Sequence, residues 1–165
     1  MNKKFFRYFC LVFSIIVMGL IFCFSMQNSA ESNFVSNSLL QKIIFLFDKN
    51  LNNLPINEQL IVLEKYHIIL RKLAHFGIYA LLGFFVYGFL GTYNWCKKAV
   101  LLIFSVAFTF FYAITDELHQ MFVSGRSAQF TDVLIDVSGG ILGSIIMAIF
   151  LYFIFWRKSN EKFKQ

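Results

Sequence analysis

The chain has 165 residues, of which 58% are hydrophobic and 15% charged, with 23 phenylalanines and a formal net charge of +6; its mean hydropathy is +0.66. A water-soluble domain of this size cannot hide so much apolar surface, which excludes a soluble globular enzyme. The positive charge does not point to nucleic acid, because it sorts along the chain in a way that membrane topology explains.

Four runs carry no Asp, Glu, Lys, Arg or His: Tyr8–Ala30, Phe76–Cys96, Ala99–Thr115 and Val137–Trp156, of 23, 21, 17 and 20 residues. A hydrocarbon core of roughly 30 Å needs about 20 helical residues at ~1.5 Å each. Lipid tolerates no open strand edges, so the runs read as helices. The expected architecture is all-α: an integral membrane bundle of four transmembrane helices forming one domain over residues 1–165, with spans near 7–27, 74–92, 98–120 and 132–156.

The first run follows Lys3, Lys4 and Arg7. It is longer than a signal-peptide core, and Asn28 is a poor small residue before a cut at Ala30. Bulky Phe22 likewise disfavours lipoprotein processing at Cys23, so an uncleaved anchor helix is expected. Cys10, Cys23 and Cys96 form no CxxC pair and read as free thiols. Beyond the first span, Val35, Leu39, Ile43 and Phe47, with Leu40 and Ile44, recur at helical spacing in a stretch too polar to cross. This predicts an amphipathic helix lying on the outer interface. Pro55, the only proline, opens "PINEQLIVLEKYHIILRKLAHF", which continues as helix into the second span. A short loop with Trp95, Lys97 and Lys98 leads to the third span, and the fourth ends in the basic tail "WRKSNEKFKQ".

Basic residues collect on the cytoplasmic side. With both termini inside (N-in/C-in), the inner segments hold nine Lys and Arg against one acid, Glu161, and the outer segments hold six basic residues against eight acids. The stretch "TDELHQMFVSGRSAQFTDVLIDVSGG" is then expected at the extracellular face of a bacterial plasma membrane.

Within and before it, polar residues recur at helical spacing. Arg71, His75 and Tyr79 lie four apart; Asp116, His119 and Gln120 share a face, with Glu117 adjacent; Asp132 and Asp136 lie four apart. Three helix ends thus bring ionisable groups to one depth. A charge at the centre of a membrane helix costs ~2.5–3.5 kcal/mol, less near the interface, so such groups need partners. Arg71 and Arg126 are the natural cations for Asp116, Asp132 and Asp136. On the bland alternative, His67 and Lys72 are surface residues, Glu117 is a solvated acid and Tyr79 is a packing residue with a bonded hydroxyl. Gly139 and Gly143, at GxxxG spacing, would let the fourth helix approach a neighbour closely. The bland alternative is a salt-bridge network that only locks the bundle.

"RKLAHFGIYALLG" together with "YAITDELHQMFVSGRSAQFTDVLIDVSGGILG", and more weakly "FSMQ" at 24–27, resembles the VanZ-like family of small bacterial membrane proteins. The shared polar positions carry over to Arg71, Lys72, His75, Tyr79, Asp116, Glu117, Gln120, Arg126, Asp132 and Asp136, with Gly125 and Gly140. The resemblance implies a role in the cell envelope, the family's namesake being associated with teicoplanin resistance. Some relatives carry a phosphotransbutyrylase label, which no phosphate-cradling glycine loop in this sequence supports.

The expected function is binding or modification of an outer-leaflet lipid or lipid-linked envelope precursor. His75, Asp116 and Asp136 are then the candidate catalytic groups. Arg71, Arg126, Tyr79, Glu117, Gln120 and Asp132 are the headgroup-binding ones. Alternatives are a small transporter or proton-coupled exchanger, disfavoured by the absence of an inverted repeat, and a purely structural protein. His75, Asp116, His119, Asp132 and Asp136 could also offer metal ligands, but there is no HExxH or equivalent signature, so no metal or cofactor is assigned. No nucleic-acid partner is expected, and a homo-oligomer is left open.

Overall fold

A computed structural model of the chain describes residues 2–26, 55–93, 97–123 and 129–162. Four helices account for nearly all of them: α1 Lys3–Ser25, α2 Ile56–Gly91, α3 Lys98–Gln120 and α4 Phe130–Lys162. Each contains a stretch long and apolar enough to cross a membrane: Lys3–Ser25, Lys65–Gly91, Lys98–Gln120 and Phe130–Ile154. No strand occurs among the described residues. The expected interfacial helix, together with Arg126, Gly125, Trp95 and Cys96, lies outside them.

The helices start and stop for local reasons. The Asn2 side chain accepts the Lys4 amide at 3.0 Å and caps α1. Pro55 precedes α2, where it has no amide to leave unpaired, and its carbonyl accepts from Glu58 and Gln59. Helix α2 then runs unbroken for 36 residues. That is longer than the hydrocarbon thickness of roughly 30 Å requires, so the segment before Lys65 extends beyond its crossing portion.

Contacts fix the directions. Gly139 and Gly143 of α4 meet Phe76 and Ala80 of α2, in the same order along both helices, so α2 and α4 run parallel. Cys10 of α1 meets Gly88 and Phe13 stacks on Phe85, so α1 opposes α2. The Tyr112 hydroxyl of α3 donates to the Met18 carbonyl of α1 at 2.7 Å. The bundle therefore alternates in direction, and the most extensive interface joins α2 and α4.

That interface is built on glycine. A Cβ added at Gly143 or Gly139 would overlap the carbonyls of Ala80 or Phe76, and one at Gly83 would overlap that of Gly140. In lipid, where helices gain little from apolar burial against one another, such backbone approach supplies the van der Waals contact. Beside it, Ser144 Oγ donates to the Gly83 carbonyl at 3.1 Å and lies 2.9 Å from Ser105 Oγ of α3. Three helices thus meet at one carbonyl. The surface is lined with exposed Phe, Ile and Leu, as a lipid-facing exterior requires.

The two ends of the bundle differ. Arg7, at the start of α1, donates to Thr92 Oγ1 at 2.9 Å, and its guanidinium lies 3.8 Å from the Tyr93 ring centroid. Lys98 donates to the carbonyls of Gly91 and Tyr93 at 2.7 and 3.0 Å. Cations therefore gather around the C-terminal end of α2, where the helix dipole favours them. The carboxylates gather at the opposite end.

Candidate functional site

The helix pitch selects which side chains enter the site. At about 100° per residue, Lys72 and Tyr79 fall within about 20° of one another on α2, with His75 between Tyr79 and Arg71. On α3, Asp116 and Gln120 share a face, and on α4 Asp132 and Asp136 do. The three faces converge about two turns or less from the ends of α3 and α4.

At the centre, ligand-capable atoms of His75, Asp116 and Asp136 all lie within 4.8 Å of one another. His75 Nδ1 is 3.6 Å from Asp136 Oδ1. Asp136 is fully buried, and neither of its carboxylate oxygens makes a hydrogen bond. Tyr79 is also fully buried, with its hydroxyl beside Asp116 and Asp136. Gln120 Nε2 donates to Asp116 Oδ2 at 3.2 Å, which fixes one oxygen of that carboxylate.

Around the centre the contacts are well formed. Lys72 Nζ bonds Asp132 Oδ1 at 2.5 Å, tying α2 to the first turn of α4. Glu117 Oε2 accepts the Gln129 amide at 3.0 Å, anchoring the residue just before α4. A shallow cleft opens here, lined by Arg71, Lys72, His75, Asp132, Ile135 and Asp136.

The structure brings His75, Tyr79, Asp116, Glu117, Gln120, Asp132 and Asp136 together, with Arg71 at the edge. Arg126 lies outside the described residues. Several expectations need correction. Lys72 is no bystander, since it takes Asp132 while Arg71 makes no ion pair among the described residues; the pitch turns Lys72 toward α4 and leaves Arg71 about 80° from Tyr79. Glu117 is buried rather than solvated, and His67 is buried too. His119 leaves the group: its ring stacks on Phe22 of α1, with centroids 4.6 Å apart. Ser105 and Ser144 carried no expectation, although small hydroxyl residues on apolar helices are a recognisable packing signal.

Such an arrangement can hold a positively charged or proton-donating group at the Asp136 end and an anionic one at the Arg71–Lys72 edge. The family model described as VanZ/LLP1 matches residues 9–156. No curated protein and no solved structure matches the chain.

Proposed function

The chain belongs to the VanZ-like family, and from that premise we propose that it acts in the bacterial cell envelope by binding an anionic lipid headgroup or lipid-linked precursor at the outer leaflet. Family membership itself suggests a multi-pass membrane protein of the teicoplanin-resistance type. The charge asymmetry of the sequence supports the outer placement, since the three segments read as inner are strongly basic.

The observation that carries this reading is the contrast between rim and centre. A pure clamp satisfies its buried polar groups, because an unmatched buried carboxylate costs ~3–5 kcal/mol. Lys72–Asp132 and Glu117–Gln129 behave as clamps. Asp136 does not: it is fully buried where three helices meet, and its oxygens make no hydrogen bond, with His75 Nδ1 3.6 Å away. Unspent polarity of this kind marks a place for the proton-donating or cationic part of a bound molecule, such as a headgroup hydroxyl or amine.

Arg71, which makes no ion pair among the described residues, offers the cation for a headgroup phosphate. Arg126, on the segment leading to α4, is the second expected contributor. His75 with Asp116 or Asp136 supplies a proton donor and acceptor pair for any modification of the bound group.

The test compares wild type with Asp136→Asn and Arg71→Ala at matched membrane abundance. Reduced teicoplanin tolerance in both, with loss of co-purifying anionic lipid from Arg71→Ala by mass spectrometry, is the expected result. Unchanged tolerance and unchanged lipid would sink the proposal, leaving the cluster as packing.

A further inference from the structure

We propose that His75, Asp116 and Asp136 form a binding site for one divalent transition-metal ion, with zinc as the reference ion. The inference shares the Asp136 observation with the lipid reading, but its test reads metal binding rather than lipid, so either can fail without the other.

The donors come from three different helices and converge on one point. His75 belongs to α2, Asp116 to α3 and Asp136 to α4, and their ligand-capable atoms lie within 4.8 Å of one another. Proximity of acids alone would not make a site. The independent observation is Asp136, fully buried with both oxygens unbonded inside the cluster. An ion is a natural partner for two carboxylates and one imidazole held within 4.8 Å of one another.

The distances suit a first-row ion. Zinc bound to nitrogen and oxygen at ~2.0–2.1 Å places tetrahedral donors ~3.3 Å apart. His75 Nδ1 and Asp136 Oδ1 are already 3.6 Å apart. A ligand atom of Asp116 lies within 4.8 Å of both, and one oxygen of that carboxylate is held by Gln120. An outer hydrogen bond of this kind orients a metal-bound carboxylate.

The donor set also discriminates. One imidazole and two carboxylates suit zinc or manganese better than copper(I), which seeks thiolate, or calcium, which seeks six or more oxygens. Two carboxylate charges balance a dication, so binding removes the net charge from a buried position. Three protein donors leave a fourth position open toward the Tyr79 hydroxyl or a water. The missing HExxH signature is no obstacle, because that motif places its ligands on one helix and here each helix gives one.

The experiment uses the full chain in lipid nanodiscs, stripped with chelator and then titrated with zinc chloride or manganese chloride. Calorimetry and elemental analysis should find close to one ion per chain, and the melting temperature should rise with added ion. His75→Gln, Asp116→Asn and Asp136→Asn should each weaken binding at least tenfold and abolish the thermal shift. His119→Gln, whose ring packs on α1, should bind like wild type. Should a triad variant fail to fold, the wild-type titration still decides. No saturable binding and no thermal shift with either ion overturns the proposal, as does stoichiometric binding that survives in the folded triad variants.

Discussion

Lys72 and Asp132 join α2 to the first turn of α4 through a 2.5 Å contact, with 30% and 20% of their side chains exposed. The pair sits at the rim of the cluster rather than at its centre. It therefore acts on where α4 begins more than on what the cluster can bind. Part-exposed pairs contribute modestly, because solvent screens them. A double-mutant cycle of Lys72→Ala and Asp132→Ala, read by thermal unfolding in detergent, should return a coupling of about 1 kcal/mol or less. A coupling of zero would mean that the contact is not populated in the membrane protein.

The glycine seam makes a sharper prediction. Gly143→Ala must separate α4 from the Ala80 carbonyl, and forced overpacking of this kind costs about 1–3 kcal/mol. Gly19→Ala meets nothing within 4 Å and should leave stability unchanged or slightly raised, since alanine is the better helix former. Resistance to unfolding in sodium dodecyl sulfate ranks the two variants. Equal behaviour would show that the α2–α4 contact is looser than described.

Asp136 separates a binding centre from a lock. In a lock, Asp136→Asn removes a supporting charge and the protein loses stability. In a binding centre, the substitution neutralises a buried, unbonded carboxylate and relieves its desolvation. The ion-free variant should therefore melt at or above the wild-type temperature while losing function. A fall of several degrees would support the lock.

Glu117 should act on the backbone of the following segment. Its carboxylate accepts the Gln129 amide just before α4 starts. Glu117→Ala should raise hydrogen exchange at Gln129 and the first turn of α4 and cost about 1–2 kcal/mol. Glu117→Gln keeps an acceptor oxygen and should fall between alanine and wild type. Identical exchange in all three would remove the anchoring role.

Four apolar runs predict four spanning helices, and their number could be read from the sequence because lipid leaves so few alternatives. The convergence of His75, Asp116 and Asp136 was legible too, since helical spacing puts each on a face and the three helix ends at one depth. What spacing could not give was partner choice. Lys72 and Arg71 are neighbours in sequence and equally charged, and only the rotation of α2 against α4 decides that Lys72 reaches Asp132. His119 shares a helical face with Asp116, yet Phe22 on a different helix claims its ring. Close approach of Gly139 and Gly143 to a neighbour followed from their spacing, whereas the identity of that neighbour, α2, came from packing.

The seam between Gly143 and Ala80 also bears on biogenesis. Its two sides are not consecutive helices: α3 is made between them. During synthesis α2 enters the bilayer with its recognition surface unmatched, and it stays so until α4 has been threaded. The Gly83 carbonyl waits in the same way for Ser144. Truncated chains that end before α4 should therefore be held by the insertion machinery or degraded, even though each of their three helices is hydrophobic enough to insert.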